Sequence, residues 1–207
     1  MKSGIPAKGM WTVFSPSFRK HLQLLGSAPE QRSELMKKAK RIYYKIVNKI
    51  PEYGKNDILF TTILSAAMLA SVYICMDKKP SVRELTSYYE AANNDSIVMQ
   101  IILKRTNVFS KKYQKKLKAD AKKSQHTTNP YTWRYKFLAG PTSDSYAMLF
   151  DKCGIYNLMK DLGISEITPA MCAYDYGMAK ITNTVFTRKY TLASGGPVCD
   201  CHYQKKN

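Results

Sequence analysis

The hydrophobic pattern of this chain changes character near Asn129-Pro130, and that change most limits what the chain can fold into. Before it, apolar residues recur at three- and four-residue spacing, as they do on one face of an α-helix. After it they alternate. Trp133, Tyr135 and Phe137 share one face of a strand, and Tyr146, Met148 and Phe150 share one face of another. Gly140-Pro141 lies between the two runs, which therefore read as a β-hairpin with a longish turn. Val185 to Leu192 and Val198 to Tyr203, joined by Ser194-Gly195-Gly196-Pro197, supply two more strands. Helices first, then a small antiparallel sheet with helices inserted, is the α+β pattern. The expected fold is four or five N-terminal helices packed on a four-stranded antiparallel sheet formed by the C-terminal third.

A chain of 207 residues that is 44% hydrophobic and 12% aromatic carries enough apolar mass for one compact domain, and too much for a disordered chain. Residues 1–26, punctuated by Gly4, Pro6, Gly9, Pro16 and Gly26, read as an irregular arm pinned by Trp11, Phe14 and Phe18. Residues 27–207 read as a single α+β domain. Ser27 and Glu30 have capping-box spacing, and the helix after them puts Leu35, Ala39, Ile42, Tyr43, Ile46, Val47 and Ile50 on one stripe, ending at Pro51 and Gly54. Ser81 and Glu84 form a second capping box, and Asn93-Asn94 breaks the run that follows. Ile97 to Leu103 restarts it, toward a basic stretch at 104–123. A short helix at 155–162 closes at Gly163, and Thr168-Pro169 reads as an N-cap with Pro at the first helical position.

The formal charge of +18 attracts anions, a carboxylate substrate among them. In the basic stretch, Phe109, Tyr113, Leu117 and Ala121 fall on the core stripe of an amphipathic helix. No aromatics are left exposed there to stack on bases, so the lysines read as a solvated face and no specific nucleic-acid partner is expected. Ile58 to Met76 has no charged residue, and its length reaches the lower range of the ~20 residues that span a bilayer. Its Thr61, Thr62, Ser65 and Ser71, its alanines and its flanking Asp57 and Asp77 favour a buried central helix over a membrane partner.

The five cysteines, Cys75, Cys153, Cys172, Cys199 and Cys201, are odd in number and irregular in spacing. Met1 to Pro6 shows no apolar leader, so free thiols in a reducing cytoplasm are expected. Cys199, Cys201 and His202 have the chemistry of zinc ligands, but their spacing matches no common site, and neither metal nor cofactor is expected.

Cys172 and Asp175 stand three apart on a helix and so share a face. Cys172 also follows closely on the expected Thr168 cap, where the free N–H groups and the dipole favour a thiolate. A small buried hydrophobe is the competing reading of the same cysteine. Further on, Gly195 and Gly196 let the backbone turn tightly and approach a ligand. On the last strand Cys199 and Cys201 share one face, and Asp200 and His202 the other.

From about Tyr146 to Tyr203 the sequence resembles the C-terminal part of the L-2-amino-thiazoline-4-carboxylic acid hydrolase family. The shared features are an aromatic strand ending at Cys153, a short helix closing at Gly163, and Cys172-x-x-Asp175-Tyr176. They continue with Arg188, Thr191-Leu192-Ala193, a Gly and Cys199-Asp200. Cys201-His202 stand where family members often carry an aromatic. The resemblance implies a hydrolase that opens a thiazoline or related cyclic amidine, cleaving its carbon–sulfur bond to give an N-carbamoyl cysteine. It implies Cys172, Asp175 and Cys199 as catalytic residues, with Arg188, Thr191, Gly195, Gly196, Cys153, Tyr176 and His202 around a small anionic substrate. Either the Cys172 thiolate attacks the ring carbon while Asp175 handles the proton, or Asp175 activates water and the thiols shape the pocket. A related non-catalytic ligand-binding or sensor domain is the alternative, and a homo-oligomer stays open. The expected geometry is Cys172, Asp175 and Cys199 converging on one pocket, with Arg188 at its edge as a carboxylate clamp.

Overall fold

The computed structural model describes residues 5–53 and 59–206, so the expectations placed on Gly4, Gly54, Asp57 and Ile58 lie outside the described residues. The chain divides into two units, Met1–Gln100 and Ile101–Asn207.

The first unit is helical from Ile5, the first described residue. Residues expected to be irregular form α1 (Ile5–His21), which carries Pro16 inside it, and then a 3-10 turn over Leu22–Leu25 that closes at Gly26 with φ of 73°. Proline removes one amide donor from a helix interior, yet burial of one face outweighs that loss here. Trp11, Phe14 and Phe18 are buried, as expected of the pinning aromatics. The Trp11 ring lies 5.2 Å from that of Tyr43, and Phe18 meets Tyr88 edge-on at 5.6 Å. Tyr43 and Tyr88 donate their hydroxyls to the carbonyls of Ala7 and Phe18, so these buried phenols are satisfied.

Helix α2 (Pro29–Lys49) buries Met36, Ala39, Tyr43, Ile46 and Val47. It does not open with the Ser27–Glu30 capping box. Pro29 takes the first helical position and Ala28 the extended cap position, which leaves Ser27 one residue too early. The Ser27 hydroxyl is buried without a partner among the described residues. Helix α3 (Phe60–Cys75) is the uncharged run, buried almost throughout from Ile63 to Tyr73 and packed on α2. No helix of the described residues is long and apolar enough to cross a membrane. Helix α4 (Val82–Asn94) starts at the Ser81–Glu84 capping box and stops at Asn94, both as expected. Helix α5 (Ile97–Arg105) crosses the boundary between the units and stops two residues into the basic stretch, and Ser110 caps a separate helix, α6 (Lys111–Ser124), over most of the rest.

In the second unit, β1 (Arg134–Ala139) and β2 (Ser145–Lys152) form the expected hairpin. Helix α7 (Gly154–Asp161) follows and ends with Gly163 at φ of 70°. Helix α8 (Thr168–Ile181) grows directly out of a 3-10 turn over Ser165–Ile167. Thr168 is therefore already helical, at φ −56° and ψ −38°, and is not the cap; its hydroxyl is buried without a partner among the described residues. Strands β3 (Thr184–Thr187) and β4 (Cys199–Lys205) complete an antiparallel sheet of order β1-β2-β4-β3. The strand expected to reach Leu192 stops at Thr187, and Leu192–Ser194 is a 3-10 turn instead.

One face of this sheet meets α6 on β1 and α8 on β3. An aromatic row crosses all four strands on that face. Phe137 stacks on Tyr146 at 5.6 Å, Tyr146 on Tyr203 at 4.8 Å, and Tyr203 meets Phe186 at 5.1 Å. Such cross-strand pairs fix the register, because a one-residue slip would turn every ring to the opposite face. The row ends where Phe186 meets Tyr176 of α8 edge-on at 4.9 Å.

Candidate functional site

The β3 end of that aromatic row carries Arg188, the first residue past β3. Its guanidinium sits 5.4 Å from the centroid of the Phe186 ring and 5.6 Å from that of Tyr176. Nη1 donates to Oδ2 of Asp175 at 2.6 Å, and Nη2 donates to the carbonyl of Cys172 at 2.9 Å. Cys201 lies within electrostatic range of the same guanidinium. Arg188 is only 7% exposed, and each of its two terminal nitrogens donates one hydrogen bond within the cluster.

Cys172 and Asp175 are neighbours on α8, as their spacing requires. Cys153, the N-cap of α7, receives the Tyr156 amide on its sulfur at 3.5 Å. Cys199 begins β4, and its sulfur receives the Leu192 amide at 3.2 Å. Cys153, Cys199 and Asp175 all lie within electrostatic range of Cys172.

Their protonation follows from burial. Desolvation, reinforced by the negative charge of Asp175, pushes the Cys172 thiol far above its ordinary value. Burial likewise pushes Cys153 up to about 11 and Cys201 up to about 12. Cys172 also lies beyond the first turn of α8, where the free N–H groups that favour a thiolate no longer reach it. Burial raises Asp175 too, while Arg188 pulls it back toward the ionised form. A third of the Asp175 side chain stays exposed, at 33%. Its Oδ2 holds Arg188, and Oδ1 has no hydrogen-bond partner among the described residues.

The remaining expected residues divide. Tyr176 joins the cluster through Arg188 and is 40% exposed. Thr191, Gly195 and Gly196 shape the turn that returns the chain to β4. Thr191 Oγ1 accepts the Ser194 amide at 3.1 Å, and Gly195 has φ of 80°. A Cβ on Gly196 would come within 2.9 Å of the Thr191 carbonyl oxygen. His202 does not join. Strand alternation turns it to the opposite face of β4 from Cys199 and Cys201, so those three do not converge as zinc ligands. It lines instead a depression of about 290 Å³ with Leu138, Ala147, Val185 and Thr187. Among the described residues, no group of three His, Cys, Asp or Glu side chains could hold a metal ion.

Sequence reasoning passed over Cys201 as a member of the site. Its alternation with Cys199 on one strand face is the signal that points to it. Asp200 entered only as part of the shared Cys199-Asp200 motif, with no role assigned, and its contacts run to the backbone amides of Lys189 and Tyr190.

One family model matches the chain over residues 61–203, a span that holds every member of this cluster; its description is L-2-amino-thiazoline-4-carboxylic acid hydrolase. No curated protein and no solved structure matches.

Proposed function

Because the chain belongs to the L-2-amino-thiazoline-4-carboxylic acid hydrolase family, we propose that it opens a thiazoline-type cyclic amidine by adding water, with Asp175 as the base. The observation that carries this reading is the state of the Asp175 carboxylate: one oxygen held by Arg188 at 2.6 Å, the other unbonded, with a third of the side chain exposed. Such a group is oriented and still has a lone pair for a water proton. Its raised affinity for protons makes it a stronger base than a solvated aspartate.

In this mechanism the water oxygen bonds to the ring carbon between nitrogen and sulfur, and Asp175 takes a proton as it does so. The carbon–sulfur bond then breaks. Of the two water protons, one ends on the ring nitrogen and the other on the departing sulfur, leaving a carbamoyl group on the amine and a free thiol. Atoms and charge balance with one water consumed and no redox partner. The thiols Cys153, Cys172 and Cys199 act as walls, because burial holds them protonated near neutral pH.

The test compares Asp175→Asn with Cys172→Ser, following thiol release from L-2-amino-thiazoline-4-carboxylate. Asp175→Asn should lower kcat by roughly 10²- to 10⁴-fold, the usual contribution of a positioned base. Cys172→Ser should keep measurable turnover. The reverse order would replace water activation with nucleophilic attack by Cys172. Tight binding without turnover by the unmodified protein would favour a carrier or sensor.

A further inference from the structure

We propose that Asp200 is a positioning residue that holds Arg188, and through it the Asp175 carboxylate, by stapling the backbone just after Arg188 onto β4. The inference rests on the reading of Asp175 as the working carboxylate. Strand β3 ends at Thr187, whose partner His202 is the last pair of that ladder, so Arg188 lies where sheet hydrogen bonds have stopped. Lys189 and Tyr190, which follow it, are exposed and have little packing to hold them. Asp200 supplies the missing restraint. Its Oδ1 accepts the Tyr190 amide at 2.6 Å and the Lys189 amide at 3.1 Å, and Oδ2 accepts the Lys189 amide at 3.3 Å.

The Lys189 amide belongs to the peptide plane that starts at the carbonyl of Arg188, so fixing it fixes the direction in which the Arg188 side chain leaves the backbone. A carboxylate suits this task because it accepts at both oxygens and donates at neither, and bonds from amides to a charged acceptor are stronger than neutral ones. The Leu192 amide on Cys199 Sγ is a second staple two residues further along. Asp200 makes its hydrogen bonds in this segment to backbone amides. It lies on the opposite strand face from Cys199 and Cys201, and the Nε2 of His202 is 4.0 Å from its Oδ2.

The experiment titrates the Asp175 side-chain carboxyl by NMR in the ligand-free, full-length protein, comparing the unmodified chain with Asp200→Asn, Arg188→Gln and the double variant. The other titratable or charged groups acting on or responding to Asp175 are Arg188, Cys153, Cys172, Cys199, Cys201 and Tyr203. If Asp200 positions Arg188, Asp200→Asn loosens the guanidinium and the Asp175 pKa moves further up. In the Arg188→Gln background the same change has no further effect. Two competing accounts carry the opposite sign. Removing a nearby negative charge eases ionisation and lowers the Asp175 value, and unfolding returns it toward 3.8. An Asp175 pKa that is unmoved or lowered in folded Asp200→Asn therefore overturns the proposal. Asp200→Glu, which keeps the charge and shifts the acceptor by one methylene, is read by the same sign if Asp200→Asn does not fold. With substrate, Asp200→Asn should lower kcat by roughly 10- to 100-fold, as a misplacement on the order of 1 Å does, with less change in KM. If the unmodified chain opens no ring while the titration behaves as stated, the hydrolase reading fails and the role of Asp200 toward Arg188 stands.

Discussion

The guanidinium of Arg188 stacks 5.6 Å from the ring centroid of Tyr176, one residue along the helix from the Asp175 that it pairs with. The two contacts ask for different properties of one side chain: a flat, weakly hydrated cation for the ring, and a fork of donors for the carboxylate and the Cys172 carbonyl. Lysine offers the charge without the plane or the fork. Arg188→Lys should therefore destabilise the second unit, and Arg188→Ala more so, by about 1–3 kcal/mol. The estimate discounts the ~3–5 kcal/mol of a fully buried broken pair for the exposure of Asp175. Urea unfolding followed by circular dichroism measures this, and an alanine variant as stable as the parent would show that the pair contributes nothing.

Asp175 and Asp200 should respond to pH with opposite signs. The folded-state affinity of Asp175 for its proton is raised by burial, so ionisation erodes stability as pH rises from 3.8 through the folded value. The base form is lost as pH falls through that same raised value, which places the acid limb of kcat/KM above 3.8. For Asp200, burial pushes the carboxyl up, but the amides of Tyr190 and Lys189 outweigh it and the net direction is down. Its contribution to stability is present above 3.8 and is lost as pH falls from there through the lower folded value. Asp200→Asn should flatten the acid side of the stability profile, and Asp175→Asn should not.

The sheet was legible in the sequence because its strands turn their aromatic residues to one shared face, and alternation at Tyr135–Phe137 and Tyr146–Met148–Phe150 records that. The Ser81–Glu84 cap and the Gly163 stop were legible because they satisfy local backbone groups. Helix α1 was not, since Pro16 and Gly9 carry the local signals of a loop while the burial of Trp11, Phe14 and Phe18 that overrides them is tertiary. Thr168 failed as a cap for a related reason: the preceding 3-10 turn already supplies helical backbone at Ile167. In the site, the three-residue spacing put Cys172 beside Asp175. The central place of Arg188 depends on partners 13 and 16 residues away, and no local pattern encodes those distances.

Gly154 should tolerate no side chain. An added Cβ would lie 2.0 Å from the Tyr131 carbonyl oxygen and 2.5 Å from its carbon, and both are backbone atoms that cannot swing aside. Gly154→Ala should cost about 1–3 kcal/mol or more, the range for overpacking. It should also disturb Cys153, the residue before it, whose sulfur caps α7. A melting temperature within a degree of the parent would show that the approach to Tyr131 relaxes freely.

Thiol reactivity tests the protonation of the cluster directly. The thiolate is the form that reacts with iodoacetamide, and burial pushes Cys153 up to about 11, Cys201 up to about 12 and Cys172 higher still. Cys75, at the end of α3, is also raised by burial, but Lys38 and Lys79 pull it back, and its side chain is part exposed. At pH 8 the alkylation sites, read by peptide mass spectrometry over time, should therefore appear at Cys75 first, with Cys172 among the last. Raising the pH should bring Cys153 into reaction before Cys172, because its thiol is raised less. Adding urea should make all five react alike, since unfolding removes the desolvation that separates them. Early and selective labelling of Cys172 in the folded protein at pH 8 would mean that its thiolate is present despite burial, and would return the nucleophile to that residue in place of water held by Asp175.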